Sequence, residues 1–420
     1  MSRRRVLGGS ILASGMAASA GVLLAQPAAA AAPVIPQQYY DVRSNGAVGD
    51  GTTDDTAAFR KTISRASAAG GGIVEVPAGT YRITGSLTLP DGVSLEGVGW
   101  HSPRPSDSPN FNGSWIFVTA TGASPIQFTK STAGRGSAVR RLAFNYPGQS
   151  AASPVQYAPT ISMANVDDVT LEDLHLYNSY DGIIVGNCGR LKAERISGQP
   201  LHIGMQFDQV HDTIYINDIH FWPFWAQTAG LGYLQWSLDN GVAINCLDVD
   251  NPMFSNIFAL GYLTAINFGA SSSGVTSKFH LQNADLDGNQ YGIQVSGANT
   301  TGQMSNVTTQ GPNGVGYNGL YITGIGSTVF CANLRITAVQ DNAIRIESGA
   351  GSARLVIHGF WTDNWNQSGG GFPAIEIVSG NSTAMCYLGV GNFFQNGGGA
   401  PSFSAPVASQ IQQAQTAAVG

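Results

Sequence analysis

The sequence predicts an all-β protein, a single-stranded right-handed parallel β-helix (solenoid) with a short N-terminal capping α-helix. The first observation is a short apolar phrase that returns eight times, at intervals of 21 to 38 residues. The second is a further alternating stretch between phrases, such as 169–176 or 353–360. The third is that no segment between phrases has a helical period long enough to connect parallel strands. The phrases are Gly182–Val185, Ile203–Phe207, Gly241–Ile244, Ala265–Phe268, Gly292–Val295, Gly319–Ile322, Ala343–Ile346 and Ala374–Ile377.

Each phrase combines a small residue near its start with alternating Ile, Val or Phe, the pattern of a strand that is packed on one face. One unit cannot bury its own apolar face, whereas units stacked about 4.8 Å apart bury a continuous core. A β-propeller is one alternative, but it needs about four strands per repeat of roughly 40 residues or more. A β-sandwich is the other, and it needs hairpins with two-residue turns, for which the spacing is too even.

The N-terminal segment predicts export. Residues 1–32 contain three consecutive arginines and then an apolar run rich in Ala and Gly, the pattern of a twin-arginine-type signal peptide. We therefore expect a secreted or periplasmic protein with a β-helix domain at 33–398 and a low-complexity tail at 399–420. Removal of the signal takes away three arginines and no acids, so the formal charge changes from −6 to −9 (−6 − 3). This negative net charge disfavours a nucleic-acid partner. We expect no membrane anchor after signal removal, because the sequence has no second long apolar stretch.

The start of the predicted domain carries the clearest resemblance. Residues 40–59 read Tyr-Asp-Val-Arg-Ser-Asn-Gly-Ala-Val-Gly-Asp-Gly-Thr-Thr-Asp-Asp-Thr-Ala-Ala-Phe, and Gly-rich strand patterns follow at 70–83 and 89–99. This opening resembles the pectate-lyase-like β-helix superfamily, in the branch of rhamnogalacturonases, polygalacturonase-related proteins, epimerase-like domains and phage tailspikes. The helical pattern after Asp55 places Phe59, Ile63 and Ala66 on one face, and the resemblance implies that this helix plugs the first coil. It also implies that the acids of this opening are structural.

The same resemblance suggests where catalytic residues would lie. In polygalacturonases and rhamnogalacturonases the acids stand just before strands on successive coils, in Asn-Thr-Asp-Gly, Asp-Asp and His-Gly phrases. This chain has Asn178-Ser-Tyr-Asp181-Gly182 at the first such place. It has no Asp-Asp pair after it and no Arg-Ile-Lys, and its only His-Gly is far downstream at His358. The similarity to these enzymes is therefore partial.

The stacking of coils leads to a hypothesis about catalytic residues that does not depend on the family resemblance. If residues 182, 203 and 241 begin equivalent strands, Asp181 and Asp239 lie roughly 9 to 10 Å apart, with His202 between them. Inverting glycosidases hold their two carboxyls about 6.5 to 9.5 Å apart. The sequence therefore predicts Asp181, His202 and Asp239 as catalytic residues. The alternative is that the two aspartates only form tight turns.

One coil is much longer than its neighbours and is rich in aromatic residues. Sugar rings stack on aromatic faces, so we expect a saccharide groove lined by Trp222, Trp225, Tyr233 and Trp236. The alternative is that these rings only pack the loop on the solenoid. Asp208 and His211 form a second polar group that we assign to substrate binding, although strand alternation would place them on different faces.

The sequence predicts no metal site and no cofactor, with calcium left open at one place. The stretch Asp285-Leu-Asp287-Gly-Asn289 resembles part of a calcium loop, but it lacks the later glutamate and equally fits an Asp-Gly bend. The four cysteines have no paired spacing, so buried free thiols are the default and disulfides the alternative; they are Cys188, Cys246, Cys331 and Cys386.

The leading functional hypothesis is an exported glycoside hydrolase that cuts within a polysaccharide by acid and base carboxylates. A polysaccharide lyase is the runner-up, although the acidic mature chain disfavours an acidic polymer. A third hypothesis is a non-catalytic glycan-binding or tailspike-like solenoid. The expected partner in all three is a polysaccharide, and the chain is expected to be a monomer or a homotrimer.

Overall fold

The computed structural model describes residues 38–103, 110–128, 136–312, 316–395 and 397–414. The predicted signal segment, 1–32, lies outside these residues. In chain order the first elements are β1 (Tyr39–Asp41), β2 (Asp50–Asp54), α1 (Thr56–Ala68), β3 (Gly72–Val76), β4 (Gly79–Ile83), β5 (Leu87–Leu89), β6 (Val93–Gly97), β7 (Ser114–Val118), β8 (Ile126–Phe128) and β9 (Ala138–Asn145). The middle elements are β10 (Ile161–Ala164), β11 (Thr170–Leu176), β12 (Asp181–Cys188), β13 (Lys192–Gly198), β14 (Ile203–Val210), β15 (Ile214–Phe221), α2 (Gln235–Asn240), β16 (Val242–Cys246), β17 (Pro252–Leu260), β18 (Thr264–Phe268), β19 (Phe279–Asp287) and β20 (Tyr291–Val295). The last are β21 (Thr301–Gln310), β22 (Asn318–Ile322), β23 (Thr328–Thr337), β24 (Ile344–Ile346), β25 (Arg354–Asp363), β26 (Ile375–Ile377), β27 (Met385–Leu388), β28 (Phe393–Gln395), β29 (Phe403–Ser404) and β30 (Ile411–Gln413).

The strands form two long sheets, and from β7 to β27 sequence neighbours alternate between the two sheets. Sheet B has twelve strands in the order β5, β8, β10, β12, β14, β16, β18, β20, β22, β24, β26, β29. Sheet A has eighteen strands, among them every odd-numbered strand from β7 to β27. All eight repeated phrases contribute neighbouring parallel strands of sheet B, from β12 to β26. The predicted right-handed parallel β-helix is therefore confirmed.

The long strands of sheet A bend in the middle. A single left-handed residue interrupts each of β17, β19, β21 and β23, with φ between 52° and 56°. Asparagine tolerates this conformation, and each side-chain amide donates to an asparagine one coil back, at 2.9 to 3.4 Å. These residues are Asn256, Asn283, Asn306 and Asn333. We call the part of each long strand before this bend its first leg and the part after the bend its second leg.

The small residue of each phrase has a steric cause. A Cβ added to Gly182 would lie 2.3 Å from the carbonyl oxygen of Gly204, and one added to Gly204 would lie 2.4 Å from that of Ala243. The backbones of successive coils approach closely at this corner, so a Cβ does not fit at Gly182 or Gly204, and the equivalent residue of the following coil is the small Ala243. Next to this corner, Ile183, Met205 and Ile244 stack in register and are fully buried.

The predicted helix is present as α1 and packs on β1, β3, β5 and β6. Phe59, Ile63 and Ala66 are buried on it, as the pattern predicts. The carboxylate of Asp55 accepts from the backbone N–H groups of Val48 and Gly49 at 2.7 and 3.2 Å, which is a structural use of an acid from the opening. That α1 caps the solenoid stays a prediction.

The C-terminal end differs from the prediction. β29 pairs with β26 and β30 pairs with β27, both in parallel, so the stack extends past the predicted boundary at residue 398. The part of the predicted tail at 415–420 lies outside the described residues. All four cysteines are buried free thiols. No helix in the described part of the chain is long and apolar enough to cross a membrane.

Candidate functional site

Asp181 and His202 lie together at the start of sheet B. Asp181 is the first residue of β12, and His202 directly precedes β14 on the next coil. The Nδ1 atom of His202 is 2.8 Å from Oδ1 of Asp181, and the backbone N–H of Ile203 donates to the same oxygen at 3.1 Å. Because an ionised carboxylate only accepts, Nδ1 carries the proton in this pair. Nε2 of the neutral ring is then left as an acceptor.

Two aromatic rings frame this pair. Tyr180 stacks on His202 with ring centroids 4.9 Å apart, and Trp236 lies 5.7 Å from Tyr180 and 6.2 Å from His202. Burial, and then the charge of Asp181, raise the pKa of the Tyr180 hydroxyl, so this phenol stays protonated and can donate. The His202 side chain is 36% exposed and that of Asp181 is 17% exposed, so the imidazole is the more accessible group.

The arrangement is suited to proton transfer. A carboxylate that fixes one nitrogen of an imidazole sets its orientation and tautomer, and it leaves the other nitrogen to act on a substrate. The aromatic neighbours offer faces on which a sugar ring can stack. The structure thus brings together two of the three residues that the sequence predicts as catalytic.

Asp239 belongs to a different set of contacts. It lies on α2, where its Oδ1 accepts from Gln235 at 2.9 Å and from Gln290 at 3.3 Å. Gln290 also donates to the carbonyl of Leu238 at 2.8 Å and stands three coils beyond His202. Asp239 and Asp181 share no hydrogen-bond partner among the described residues.

The expected strand alignment was wrong by one or two residues. In the observed register Gly182, Gly204 and Ala243 are equivalent, not residues 182, 203 and 241. The helical turn of α2 fills the place where the sequence suggested a tight turn before the strand, so Asp239 does not stand at the strand start. Matching the small residues of the phrases would have given the correct register, because the steric corner needs them.

The aromatic loop is divided between two faces. Trp225 and Phe224 pack on a cluster outside sheet A that contains Trp115 and Tyr177, and Trp222 contacts Phe224 at 5.2 Å between centroids. Tyr233 is buried, with 7% exposure. Of the four predicted aromatic binding residues, only Trp236 lies beside His202. The other three serve mainly to pack the loop.

The second polar group is also separated from the pair. Asp208 lies towards the far end of β14 and accepts from Ser271 Oγ at 2.7 Å. Nε2 of His211 lies 3.8 Å from Oδ2 of Asp248. Six residues of extended strand separate Asp208 from His202, roughly 20 Å at about 3.3 Å per residue. The structure does not bring Asp208 or His211 to the candidate site.

Sequence analysis overlooked a row of tyrosines on the same outer face of sheet B. Tyr291 occupies the register position of Asp181 four coils further on. Its ring stacks on Tyr317 and Tyr321 with centroids 5.3 and 5.2 Å apart. The sequence contained a signal for this row, because Tyr291 directly precedes the phrase Gly292–Val295 and Tyr321 lies within the phrase Gly319–Ile322.

Next to these tyrosines, Arg345 holds two carboxylates. It donates to Glu347 at 2.7 Å and to Glu376 at 2.6 Å, and the Tyr321 hydroxyl donates to Glu347 at 3.0 Å. Burial alone would raise the pKa of Glu347, but the hydrogen bond and charge of Arg345 outweigh it, so the net pKa is lowered. These acids are therefore committed to a structural network.

The stretch at which the sequence left calcium open makes hydrogen bonds within the protein. The side-chain oxygen of Asn289 accepts from the backbone N–H of Tyr262 at 2.9 Å, and its amide donates to Ala259 and Asp287 carbonyls. Asn289 is thus used to hold backbone. Across the described ranges, no group of three His, Cys, Asp or Glu side chains is arranged to hold a metal ion.

Comparison with known sequences gives one family model that matches part of the chain and several short matches. The family model described as rhamnogalacturonase A/epimerase, pectate lyase-like, matches residues 39–222. The chain is 48% identical over 67 residues to the mannuronan C5-epimerase AlgE4 of Azotobacter vinelandii, which is 14% of this chain and 12% of that protein. It is 49% identical over 56 residues to alginate lyase 7 of the same organism, 13% of this chain and 6% of that one. These matches span only a small part of the relatives' own lengths.

Solved structures show the same fold over most of the chain. The A-module of mannuronan C5-epimerase AlgE4 from Azotobacter vinelandii aligns with a TM-score of 0.54 and 15% identity, over 90% of this chain and all of that one. An exopolygalacturonase from Thermotoga maritima aligns with a TM-score of 0.52 and 13% identity, over 86% and 93% of the two chains. At these identities the likeness concerns the fold. Residues 39–222 of this chain therefore match the rhamnogalacturonase A/epimerase, pectate lyase-like family model, and they lie on a right-handed β-helix that continues to residue 413.

Proposed function

We propose that this protein is a polysaccharide-modifying enzyme in which His202 removes a ring proton from a uronate residue within the chain. The observation that carries this proposal is the 2.8 Å contact between Asp181 and His202, framed by Tyr180 and Trp236. The family match, together with the epimerase and lyase names of the short matches, supports this class of substrate.

The chemistry is a proton abstraction next to a carboxylate. Nε2 of His202 takes the proton from C5 of the uronate, and the electron pair left on carbon is delocalised into the adjacent carboxylate. If a proton then returns to C5 from the opposite face, the product is the C5 epimer. If the C4–O bond breaks instead, the product is an unsaturated sugar and a new chain end. The protonated Tyr180 hydroxyl is the candidate donor in either case.

None of the described residues named for this site is a lysine or an arginine, so neutral donors would have to meet the charge of the substrate. A row of amides runs along the outer face of sheet B, in which Asn245 donates to Gln206 and Asn267 donates to Asn245, each at 2.9 Å. The Nε2 amide of Gln206 has no hydrogen-bond partner among the described residues. These N–H groups can serve substrate carboxylates and hydroxyls along the face. An acidic polymer can therefore find hydrogen-bond donors on this face although the net charge of the chain is negative.

Two-carboxylate hydrolysis, the leading hypothesis from sequence, has weaker support. It needs a second carboxyl close to Asp181. Asp239 is held instead by Gln235 and Gln290, and Asp181 is occupied by His202 and Ile203. Asp181 is therefore better suited to orient the imidazole than to attack or protonate a glycosidic bond.

The test is to incubate the protein with polymannuronate, alginate and polygalacturonate and to measure three products. Ultraviolet absorbance detects unsaturated sugars, a reducing-sugar assay detects new chain ends, and proton nuclear magnetic resonance detects a change in uronate configuration. We expect unsaturated ends or epimerised residues. His202→Ala should lower that rate by about 10²- to 10⁴-fold, the usual contribution of a general base.

His211→Ala is the matched control, because His211 is an exposed histidine of the same coil that lies outside the site. It should keep nearly the full rate. Reducing ends without unsaturation would show hydrolysis and contradict the proposal. No product on any of the three polymers, or equal rates for His202→Ala and the native protein, would also contradict it and favour a binding solenoid.

A further inference from the structure

A second groove lies on sheet A, on the first legs, the residues before the bend, of five neighbouring strands; β15 bends at Asp218, with φ 56°, and the other four bend at the asparagines described above. It encloses about 660 Å³ and runs across β15, β17, β19, β21 and β23. One side carries large exposed side chains, namely Tyr215, Met253 and Phe330, which are 49%, 38% and 53% exposed. This groove is separate from the pair at the start of sheet B.

The floor of the groove consists of small polar side chains in register. Asn217, Ser255, Gln282 and Ser305 occupy one row, each on the next coil. Gln282 and Ser305 have no side-chain hydrogen-bond partner among the described residues. We call this feature the amide-floored groove, with these four residues as its floor and Tyr215, Met253 and Phe330 as its rim.

The dimensions of the groove follow from the coil repeat. Tyr215 and Phe330 stand in one register row, four coils apart, with Met253, His280 and Gln303 between them. Four steps of about 4.8 Å give a length of roughly 19 Å. A polar floor group, either an amide or a hydroxyl, therefore recurs at this interval along the solenoid axis. A ligand that repeats at a similar interval can make the same contact on each coil.

The lining chemistry restricts the occupant. None of the described lining residues is Asp, Glu, Lys or Arg. A nucleic acid would need cations for its phosphates, and a lipid would not pair with a floor of amides and hydroxyls. A peptide strand cannot join the sheet, because β17, β19 and β21 are already paired on both sides. Aromatic rims with unpaired amides and hydroxyls fit sugar rings and their hydroxyl groups.

We propose that the amide-floored groove is a second polysaccharide site, which binds a neutral, extended glycan chain along the solenoid axis. Tyr215 and Phe330 stack on sugar rings at its two ends, and Gln282 and Ser305 bind hydroxyl groups between them. This site holds a chain without modifying it. It goes beyond the proposed reaction at His202 and does not depend on it.

The test measures binding of the full protein by affinity electrophoresis in gels that contain soluble starch, hydroxyethyl cellulose, laminarin, xylan or glucomannan. At least one neutral glycan should retard the native protein. The double variant Tyr215→Ala/Phe330→Ala should weaken that binding roughly tenfold or more, since two ring contacts are lost. Gln282→Ala/Ser305→Ala should weaken it less. Circular dichroism and thermal unfolding should show that both variants are folded.

Phe393→Ala is the matched control, because Phe393 is an aromatic residue of sheet A that is 63% exposed and lies outside the groove. It should bind as the native protein does, and His202→Ala should also bind normally. Retardation by none of the neutral glycans, or equal retardation of the Tyr215→Ala/Phe330→Ala variant, would overturn the proposal. An oligomer in light scattering that is lost in this variant would overturn it too, because the groove would then be an interface between copies.

Discussion

Two parts of the outer face of sheet B use titratable groups in opposite ways. On the coils of β12 and β14, Asp181 binds one nitrogen of His202 and leaves the other free of its carboxylate. Six coils further on, Arg345 binds Glu347 and Glu376, so those carboxylates are occupied. The distance between the two regions is roughly 29 Å at about 4.8 Å per coil. The comparison teaches that one face of the scaffold can support either proton transfer or a structural ion network, depending on whether a cation is within reach.

The largest expected effect is a loss of rate when the contact between Asp181 and His202 in the first region is removed. Asp181→Asn should lower the rate on the preferred uronan by about 10²- to 10⁴-fold, because the neutral amide no longer fixes the proton on Nδ1 of His202. Initial rates at saturating substrate measure this. Glu376→Gln changes the same chemical group in the second region and should keep the rate within about threefold. A similar loss in both variants would show that the two regions do not differ as described.

Breaking the second region should affect stability rather than rate. Arg345→Met leaves Glu347 and Glu376 without their cation, and all three side chains are less than a quarter exposed. We expect the free energy of unfolding to fall by about 1 to 3 kcal/mol, less than for a fully buried pair because solvent screens part of the interaction. Denaturant unfolding at pH 7 measures this change. An unchanged midpoint, or a rate reduced as strongly as in Asp181→Asn, would contradict this prediction.

The same network predicts a dependence of stability on pH. The pKa of Glu347 is lowered in the folded state, so its contribution to stability is present above its ordinary value of 4.5 and is lost as the pH falls through the folded pKa. The difference in unfolding free energy between native protein and Arg345→Met should therefore shrink below about pH 4.5. Denaturant unfolding at pH 7, 5 and 3.5 checks this. A difference that grows on acidification would show that Glu347 is not the stabilised group.

A smaller effect should sharpen the role of aromatic rings in the first region. Trp236→Ala should raise KM by up to about tenfold with a smaller change in kcat, because a stacking face worth about 0.5 to 1.5 kcal/mol is lost. Trp225→Ala is the control, since Trp225 packs outside sheet A. Its KM should stay within about twofold of the native value. If Trp225→Ala raised KM as much, the loop as a whole would be the binding element.

The smallest expected effect concerns a single hydroxyl. Tyr321→Phe removes the 3.0 Å hydrogen bond to Glu347 and should cost about 0.5 to 1.5 kcal/mol of unfolding free energy. The ring stack with Tyr291 should persist, and the rate should not change. Denaturant unfolding of Tyr321→Phe and Arg345→Met under the same conditions compares the contribution of the Tyr321 hydroxyl with that of the Arg345 guanidinium. A larger loss than that of Arg345→Met would mean that the hydroxyl, not the guanidinium, holds the network.

Most of the fold could be predicted because its signals are local. The small residue at Gly182 or Gly204 and the alternating apolar residues after it recur in the eight coils from β12 to β26, and each coil meets only its neighbours. The pair of Asp181 and His202 was also predictable, since it joins adjacent coils. The coil of α2 was harder, because a helical turn replaced the expected bend and moved Asp239 out of the row.

By itself, the sequence determined the repeat, the strand phrases, the inward apolar rows and the residues available for chemistry. Only the tertiary structure decided which polar side chains become neighbours. Trp236 reaches His202 while Trp222 and Trp225 pack elsewhere, and the floor of the amide-floored groove comes from four strands spread over 89 residues, from Asn217 to Ser305. The physical reason is that the apolar period repeats within each coil, whereas contacts between outward side chains depend on coil length and register. Loop insertions alter coil length without changing the pattern of the strands.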